Sequence, residues 1–536
     1  MVKLLIRPGM LHCYNNKIFI ILLAFVIGTN AIGQTKMNRK QRQLMFKGDK
    51  KFEVADYPHA LKIYKELLPI DSLSFELNYK IGVCTFEDKK TRIESKKYFF
   101  KTSSEKYPET TYYLGKIYHI EGNFDKSIDY FHTYIKMKGE KEHTIKEVED
   151  LVEKCYYSKL QMQTPQNEVK IFNLGPDINT EYSEYAPLIP ASENALYFTS
   201  RRKNPTWSNL DVFDNFYEDI YVSYRNADST WGKPTIMDTT INSSYHDAAT
   251  GLSADGEKLL IYHTSEDHVH GHIYISELEN EKWIKPHKLD ANINSAHHNE
   301  TSACFSPDGE IIFFSSDRPG GYGGKDLYSI KKAPSGKWAK AMNLGPMINT
   351  EYNEDAPFIH PHDSILFFSS EGHQNMGGYD IFKSGFDEAE HFTTPKNLGY
   401  PVNTVDDDIF FVLNASGATG YMSSKRSDSY GLYDIYGVNF AINNAPMNVY
   451  TLHVYDESSK DVIKKVEVVV TNIDKKTISG IYKSNSLTGK TILISKPEQS
   501  YRIAIQAVGY EPLILDNYFL NNETSLNFKL VRKQHD

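Results

Sequence analysis

Short apolar runs of strand length recur along the middle of the chain, from Asn167 to about Phe440, with a period close to 54 residues. The clearest marker is an Asp-Ile-Tyr triplet or a close variant of it, with successive offsets of 53, 54, 54 and 54 residues, at 219–221, 272–274, 326–328, 380–382 and 434–436. An asparagine recurs in the same register, and its one long gap coincides with an insertion at 201–218; the positions are Asn179, Asn242, Asn294, Asn349 and Asn403. Self-similarity at this period predicts a β-propeller or a linear array of repeats.

One repeat contains four segments with the character of β-strands. Glu300–Phe305 is followed by a Ser-Pro-Asp-Gly turn, and Ile311–Ser315 is an apolar run that is bulky enough to be buried on both faces. A glycine-rich loop then leads to Asp326–Ile330, and a fourth strand begins at Trp338. Four strands per repeat is the content of a propeller blade.

The two ends of the repeated region predict that the ring is closed. The last repeat stops after its third strand, near Phe440, whereas an unpaired strand at 168–174 precedes the first repeat. Pairing these two segments would complete the last blade and remove the strand edges that a linear array leaves exposed. We therefore expect an all-β propeller with five blades; six blades is the alternative.

The segments on either side of the propeller have different patterns. Helical periodicity runs from Met37 to about Thr164, with small and aromatic residues at tetratricopeptide spacing, among them Gly48, Tyr64, Gly115 and Ser127. A generic helical bundle is the alternative for this part. Alternating apolar and polar positions from Asn448 to Arg532 predict a small β-sandwich. The expected fold class is therefore multidomain: an all-α tetratricopeptide solenoid, an all-β propeller and a small β-sandwich.

The N-terminus has the pattern of a secretory signal peptide. Lys17 precedes ten apolar residues, Ile18–Ile27, and small residues follow as far as Gly33. Ten apolar residues are too few to span a bilayer. The predicted organisation is a signal peptide at 1–34, a tetratricopeptide-repeat helical domain at 35–164, a propeller at 165–441 and a sandwich at 447–532.

Composition narrows the classes of partner. The formal net charge is −9, and Lys3, Arg7 and Lys17 belong to the signal peptide, so the remainder carries about −12 (−9 − 3). An acidic balance argues against a nucleic-acid partner. Three cysteines follow the signal peptide without CxxC spacing, which predicts buried free thiols, with a Cys84–Cys155 disulfide as the alternative: Cys84, Cys155 and Cys304.

The motifs of several enzyme classes are absent from the sequence. It contains no G-x-S-x-G, no H-E-x-x-H, no phosphate-binding loop and no paired CxxC. From this we predict a protein that is not an enzyme and that has no catalytic residues, no metal and no cofactor.

Two groups of side chains are candidate metal ligands. Histidines cluster within blades two and three and could ligate zinc, but solvated loop and edge residues are the favoured interpretation; they are His263, His268, His270, His272, His297 and His298. The acidic run 406–408 could bind calcium. Because an acid recurs at the same place in every repeat, a blade-to-blade hydrogen-bond acceptor is the favoured interpretation.

A recurring basic position is the candidate interaction face. Charged residues follow the second strand of blades one, three and five, so they are expected on one face of the propeller: Arg201, Arg202, Asp317, Arg318, Lys425 and Arg426. Together they could recognise an anionic surface. The alternative is that each charge pairs with a neighbouring acid and does nothing else.

Three modules resemble known families. The Ser306-Pro-Asp-Gly turn, the paired serines that end a second strand and the following Asp-Leu-Tyr are similar to WD40-like propeller repeats of the TolB type. Gly489, the strand at Tyr501 and Gly509-Tyr510 resemble the carboxypeptidase regulatory-like domain. The order of modules resembles the OmpA-family envelope proteins of the Bacteroidota that include PorE, which are associated with type IX secretion and gliding.

That resemblance implies a non-enzymatic scaffold in the periplasm, associated with the outer membrane, whose partners are envelope proteins such as outer-membrane or secretion-system components. Members of the family usually continue into an OmpA-like domain that binds peptidoglycan. The sequence ends at Asp536, directly after the sandwich, so direct peptidoglycan binding is not expected. The alternative function is a glycan- or peptide-binding or processing protein that uses the propeller channel.

Overall fold

The computed structural model of the protein describes residues 37–137, 141–211, 214–264, 270–333, 335–361, 365–387, 391–441 and 447–533. Contacts divide the chain into two units, Met1–Gln163 and Thr164–Asp536. Of the helices described, none combines the length and the hydrophobicity that crossing a membrane requires. The signal peptide predicted at 1–34 lies outside the described residues and stays a prediction.

The first unit is helical where apolar positions recur with a helical period. Two glycines allow close helix packing, because a β-carbon at Gly48 or Gly115 would lie 2.6 Å from the ring of Tyr64 or Phe131, respectively. The α-helices of the described part are α1 (Arg39–Glu53), α2 (Tyr57–Leu67), α3 (Phe75–Glu87), α4 (Lys96–Phe99), α5 (Glu109–Ile120), α6 (Phe124–Lys136) and α7 (Ile145–Gln163).

The prediction of an all-α tetratricopeptide solenoid is wrong. Most of the regular structure is β-strand, and the helical pairing is interrupted after α3, where a 3-10 turn, Arg92–Ser95, and the four-residue α4 replace a full helix. Asp88 favours this break, because its carboxylate accepts hydrogen bonds from Lys90 N at 2.9 Å and from Thr91 Oγ1 at 3.2 Å. Such local bonds hold the chain in a turn and compete with helix.

The second unit begins with the repeated region, which folds into five antiparallel sheets. Blade two has an extra short strand, and the other blades have four strands each. In chain order the strands are β1 (Val169–Asn173), β2 (Glu184–Leu188), β3 (Ala195–Ser200), β4 (Asp219–Tyr224), β5 (Thr235–Ile236), β6 (Asp247–Leu252), β7 (Lys258–Thr264), β8 (Gly271–Glu279), β9 (Lys282–Trp283), β10 (His287–Lys288), β11 (Glu300–Phe305), β12 (Ile311–Ser316), β13 (Asp326–Lys331), β14 (Met342–Asn343), β15 (Glu354–Ile359), β16 (Leu366–Ser370), β17 (Asp380–Ser384), β18 (Lys396–Asn397), β19 (Asp408–Leu413), β20 (Thr419–Ser424) and β21 (Asp434–Phe440).

The predicted closure of the ring is confirmed. β1 pairs antiparallel with β21, so Val169 faces Phe440 and Asn173 faces Tyr436. The fifth blade therefore has the order β1-β21-β20-β19, with a strand from before the first repeat at its outer edge. Each blade places its first strand innermost, and β2, β6, β11, β15 and β19 contact one another in turn around a channel.

The recurring asparagine joins neighbouring blades. Asn179 Oδ1 accepts a hydrogen bond from Ile435 N at 2.8 Å, and its Nδ2 donates to Ile435 O at 3.0 Å. Asn242, Asn294, Asn349 and Asn403 bind the backbones of the preceding blades in the same way. Each buried amide thus satisfies one backbone donor and one backbone acceptor between strands of different sheets.

The role predicted for the recurring acid, a hydrogen-bond acceptor between blades, is confirmed in some blades and not in others. Glu354 accepts hydrogen bonds from Thr350 Oγ1 at 2.6 Å and from Ser370 Oγ at 2.7 Å, and both donors belong to its own repeat. Glu184 and Asp408 have equivalent partners. In these blades the acid fixes the start of its own inner strand, whereas Glu300 of blade three also lies 3.1 Å from His272 Nδ1 of blade two, so the recurring acid adds to the bonds that the asparagine makes between blades.

The C-terminal part is a sandwich of a three-stranded sheet and a four-stranded sheet. Its core consists of alternating residues from both sheets, including Tyr450, Val468, Leu493 and Ile503, all 3% exposed or less. The strands are β22 (Asn448–Asp456), β23 (Val466–Asn472), β24 (Thr477–Lys483), β25 (Thr491–Ser495), β26 (Gln499–Ala507), β27 (Leu513–Leu520) and β28 (Ser525–Leu530).

Candidate functional site

The arginines of the predicted basic face are part of the blade framework. Each one reaches back to the acid that begins the inner strand of its own blade, and these three acids are 0% exposed. The Nη2-to-carboxylate distances are 3.1, 3.0 and 3.1 Å for Arg202–Glu184, Arg318–Glu300 and Arg426–Asp408. These arginines therefore hold each blade together and are not free cations of a recognition surface.

The other members of that face also have partners, so pairing, the alternative interpretation, describes the whole set. Arg201 Nη1 lies 2.7 Å from Asp211 Oδ2, and Lys425 Nζ lies 3.7 Å from Asp406 Oδ2. Asp317 Oδ1 accepts a hydrogen bond at 2.8 Å from the backbone N–H of Asn299. Of the six residues, Arg201 contributes to the site described below.

Two of the histidines considered as zinc ligands, His263 and His272, lie beside buried carboxylates of the blade framework. His263 Nδ1 lies 2.6 Å from Asp247 Oδ1, and His272 Nδ1 lies 3.1 Å from Glu300 Oε2. In blade two they occupy the strand positions that serine and aspartate hold in blades three, four and five. Within the described ranges, no group of three or more His, Cys, Asp or Glu side chains could hold a metal ion. His268 lies outside those ranges.

Three positions of each repeat differ in chemistry from blade to blade and meet where the inner strands begin. They are the two neighbours of the inner-strand acid and the residue before the Asp-Ile-Tyr triplet. Backbone bonds between blades bring them together, as from Asp247 N to Glu218 O at 3.0 Å and from Glu354 N to Lys325 O at 2.8 Å. We call this end of the channel the mouth; in blade order its residues are Ser183, Tyr185, Glu218, His246, Ala248, Gly271, Asn299, Thr301, Lys325, Asn353, Asp355, Tyr379, Asp407, Ile409 and Tyr433.

Glu218 is the centre of a charged cluster on the blade-one side of the mouth. Its carboxylate accepts a hydrogen bond from Tyr185 OH at 2.9 Å and is also bound by Arg201 and by His246 Nδ1. Burial alone would raise the pKa of Glu218, but the hydrogen bond from His246 and the charge of Arg201 lower this pKa to about 2. The carboxylate is therefore ionised at neutral pH.

Asp355 forms a second charged cluster between blades three and four. Thr301 Oγ1 donates to its carboxylate at 3.0 Å, and Ser302 Oγ and Lys325 Nζ also bind it. Burial alone would raise the pKa of Asp355, but the charge of Lys325 lowers this pKa below its ordinary value. A second ionised carboxylate with a paired lysine therefore belongs to the same opening.

Aromatic rings belong to the same opening as the charged clusters. A β-carbon at Gly271 would lie 2.0 Å from the ring of Tyr262, so this ring adjoins the mouth, and burial is the main cause that raises the pKa of Tyr262 to about 12. Lys325 Nζ lies 5.6 Å from the centroid of the Tyr379 ring, within cation–π range. Both tyrosines are partly buried, so each ring keeps some exposure at the mouth.

The channel below the mouth is apolar. Residues from the inner strands of all five blades line it, among them Pro187, Phe305, Phe358 and Phe410. The Phe410 ring lies 5.9 Å from that of Tyr185, so the aromatic lining continues upward into the mouth. The site is thus an opening lined by charged and aromatic side chains, and the channel below it is apolar.

The insertion of blade one contacts the edge of the mouth. Leu210 and Phe216 form an antiparallel bridge, and the Phe216 ring lies 5.7 Å from that of Tyr182. The ring of the next residue, Tyr217, lies 3.8 Å from the imidazole of His246, centroid to centroid. Because no other repeat has an equivalent insertion, these contacts make the opening asymmetric.

The insertion also changes the surroundings of Asp219. In blade three the equivalent Asp326 accepts hydrogen bonds from two loop N–H groups, those of Tyr322 at 2.7 Å and Gly323 at 2.9 Å. Asp219 instead accepts a bond from Asn204 Nδ2 at 2.7 Å, and its Oδ1 has no hydrogen-bond partner among the residues described. Burial is the main cause that raises the pKa of Asp219 to about 6.

We expect Asp219→Asn to stabilise the protein at pH 7 by about 1 to 3 kcal/mol. The folded-state pKa is raised above the unfolded one, so the natural protein loses stability as pH rises from about 4 to 6, and a neutral amide removes that loss. Urea denaturation at pH 5 and pH 7 measures this change in the free energy of unfolding. Asp326→Asn is the control and should destabilise at both pH values, because an amide offers one acceptor oxygen to three donors. A gain that is the same at pH 5 and pH 7 would contradict the prediction.

Sequence reasoning missed Glu218, His246, Asp355 and Tyr379. The predicted sites were residues that recur from repeat to repeat, whereas these four residues occupy positions at which the repeats differ. An alignment of the five repeats carries a signal that could have found them: the position after the inner-strand acid changes from Ala248 to Asp355 while its neighbours keep their character.

No family model matches the chain, and no curated protein matches it. Solved structures similar to it include an α-L-arabinofuranosidase from Lactobacillus brevis, at 13% identity over 50% of this chain and 92% of the other, with a TM-score of 0.33. An α-L-arabinanase from Penicillium chrysogenum is 10% identical over 61% and 98%, with a TM-score of 0.28. The β-propeller domain of the Trilobed protease from Pyrococcus furiosus is 10% identical over 63% and 85%, with a TM-score of 0.23.

The prediction that the chain is not an enzyme is contradicted by this comparison, because the similar structures include glycoside hydrolases. The prediction relied on the absence of motifs of serine hydrolases, zinc peptidases and nucleotide-binding enzymes. Glycoside hydrolysis depends on two carboxyl groups at a suitable separation, and these need no short sequence motif. The motif search could not address that class.

Proposed function

We propose that the mouth of the propeller channel binds a glycan. The observation that carries this proposal is the presence, in one opening, of two ionised carboxylates with paired cations and of partly buried tyrosine rings. It takes up the channel-binding function that the sequence left as the alternative to a scaffold.

The chemistry of the mouth fits the two surfaces of a sugar. Arg201 and Lys325, whose side chains are partly exposed and held in place by the ionised Glu218 and Asp355, can donate charge-assisted hydrogen bonds to hydroxyl groups. Tyrosine rings such as Tyr379 present an apolar face with a polar edge, which suits the C–H face of a pyranose or furanose ring. Ligand sites combine apolar surface with a few placed polar groups in this manner.

The apolar channel limits how deeply such a ligand can bind. A sugar ring among Pro187, Phe358 and Phe410 would lose its hydrogen bonds to water without replacement, at a cost of about 1 to 3 kcal/mol per buried hydroxyl. The sugar is therefore expected to occupy the mouth, where polar partners are available.

Binding is the step that these carboxylates support directly. A glycosidase needs one carboxyl group that is protonated near neutral pH and can act as the acid. The surroundings of Glu218 and of Asp355 lower both pKa values, so both groups favour acceptance of hydrogen bonds over donation of a proton.

We expect Tyr379→Ala to weaken glycan binding by about tenfold, which corresponds to about 1.4 kcal/mol of lost ring contact. Binding would be measured by isothermal titration calorimetry with cello-, xylo-, arabino- and chito-oligosaccharides. The same samples would be analysed by chromatography for shortened products. Tyr379→Phe should retain most of the affinity, because the ring remains.

Tyr224→Ala is the matched control. This tyrosine is 61% exposed and ends the third strand of blade one, at the opposite end of the propeller. Its removal should leave glycan affinity unchanged. Binding of no oligosaccharide by the natural protein, or equal loss in the Tyr379 and Tyr224 variants, would overturn the proposal.

We also propose that the protein works in the cell envelope. The proposal is supported by the apolar run Ile18–Ile27 after Lys17 and by the resemblance of the module order to envelope proteins of the Bacteroidota. Fractionation of the cells that produce the protein tests it: recovery in the cytoplasmic fraction with residues 1–34 still attached would overturn it.

A further inference from the structure

The sandwich packs against the end of the propeller opposite the mouth. Ile492 and Ile494 of β25 are 9% and 1% exposed and form an apolar cluster with Ala191 and Ala415, which lie in turns of blades one and five. Ala254, in a turn of blade two, packs against the same cluster. The sandwich therefore covers the lower rim of the channel on the side of blades one, two and five.

Polar contacts fix the sandwich at blade two. Asn485 Nδ2 donates to Asp255 Oδ2 at 2.8 Å, and Thr488 Oγ1 donates to Glu257 Oε2 at 2.6 Å. Lys490 Nζ donates to the carbonyl of Asp255 at 2.8 Å. Because these bonds add to the apolar contact, the two modules have a defined relative placement.

A cleft of about 870 Å³ remains between the two modules beside this contact. Residues Ala254 and Phe305–Pro307 line both the cleft and the channel, so the two spaces adjoin. Six lysines line the cleft, two from the propeller and four from the sandwich: Lys258, Lys332, Lys465, Lys483, Lys490 and Lys533.

The carboxylates that line the cleft already have partners. Asp255 is bound by Asn485, and Asp308 and Glu310 lie 3.8 and 3.7 Å from Lys483 Nζ. Glu467 Oε1 accepts a hydrogen bond from Gln506 Nε2 at 2.6 Å.

Three of the cleft lysines have no such partner. In the described part of the chain, no carboxylate lies within ion-pair distance of Lys332, Lys465 or Lys533. The cleft therefore offers unpaired positive charge on a protein whose net charge is −9.

We propose that this cleft binds an acidic peptide segment of a partner protein in an extended conformation. Lysine recognises carboxylates as a point charge, without the fixed geometry that arginine imposes, so spaced lysines suit a flexible acidic chain. The site is separate from the mouth and does not depend on glycan binding.

The lining favours a peptide over an acidic glycan. Besides the lysines it is aliphatic, with residues such as Pro307 and Val508, and Val508 is 96% exposed at its edge. The hydroxyls of its tyrosines are engaged, Tyr482 with the carbonyl of Ile494 at 2.7 Å and Tyr510 with Asp456 at 3.0 Å. Tyr482 is 9% exposed, so it offers little ring surface for stacking a sugar.

The test is a fluorescence-anisotropy titration of the full chain with a labelled peptide of alternating Glu and Ser. We expect binding that weakens with added salt. The double variant Lys465→Glu with Lys533→Glu should bind at least about tenfold more weakly. The control double variant, Lys396→Glu with Lys529→Glu, changes the net charge equally at exposed positions outside the cleft, and it should retain the affinity of the natural protein.

Three outcomes would overturn the proposal. Equal weakening in both double variants would show attraction to net charge rather than to the cleft. Equal binding of a peptide in which Gln replaces Glu would remove the role of the lysines. Stronger binding of a galacturonate oligosaccharide than of the acidic peptide, lost in the cleft variant, would assign the cleft to a glycan. Tyr379→Ala should leave peptide binding unchanged, which separates this site from the mouth.

Discussion

Gly431→Ala is expected to lower the free energy of unfolding of the propeller by about 3 kcal/mol or more. A β-carbon at Gly431 would lie 1.6 Å from the carbonyl oxygen of Tyr182 and 2.9 Å from that of Thr180. These atoms belong to the backbone that leads into the first blade, whereas Gly431 lies in the last. Moving them apart would disturb the bonds between Asn179 and Ile435 that help to close the ring.

Urea denaturation followed by tryptophan fluorescence measures this loss, because all four tryptophans lie in the propeller: Trp207, Trp231, Trp283 and Trp338. Gly345→Ala is the control. Its φ is +82° but no atom lies within 4 Å of the added carbon, so its cost should be that of a left-handed residue alone, about 1 to 2 kcal/mol. Similar losses in the two variants would show that the close approach at the ring junction is not responsible.

Arg318→Ala is expected to lower the free energy of unfolding by about 3 to 5 kcal/mol, because it leaves a buried carboxylate without its counter-charge. Glu300 is 0% exposed and lies 3.0 Å from Arg318 Nη2. The guanidinium also donates to the carbonyl of Asn292 at 3.1 Å and to Ser316 Oγ at 3.0 Å. Its removal therefore takes a donor away from the buried Glu300 carboxylate and the buried Ser316 hydroxyl at once.

Arg225→Ala is the matched control in the same propeller. Arg225 is exposed and its Nη1 lies 2.9 Å from Glu193, and a pair of this kind contributes about 0 to 1 kcal/mol. The denaturation assay described for Gly431 applies to both. A loss for Arg318→Ala as small as that for Arg225→Ala would mean that the recurring arginines are surface charges after all, and would restore the recognition face predicted from the sequence.

The repeat period and the chain ends were enough to predict the ring. The five triplets fix the third strands, and the strand left over before the first repeat had one free edge to pair with, which is where β1 lies. Local spacing failed in the helical unit, because a few side-chain bonds at Asp88 decide between a helix and a turn, and a pattern of apolar positions does not register them.

The recurring charges show a second limit. Arg202, Arg318 and Arg426 recur because each blade needs the same internal pair, so recurrence marked the framework and not a binding surface. The mouth residues, in contrast, do not recur from blade to blade. Glu218 and Asp355 lie far apart in sequence and occupy different positions of their repeats, and the ring of inner strands is what brings them to one opening.

The sequence by itself therefore determined the blade and the strand that closes the last one, because these depend on hydrophobic period and on the need to pair every strand edge, and it favoured five blades over six. The tertiary structure alone decided which charges are buried pairs, which side chains share the mouth, and that the sandwich leaves a lysine-lined cleft at the other end. Those features depend on contacts between residues of different repeats, and such contacts follow no periodicity along the chain.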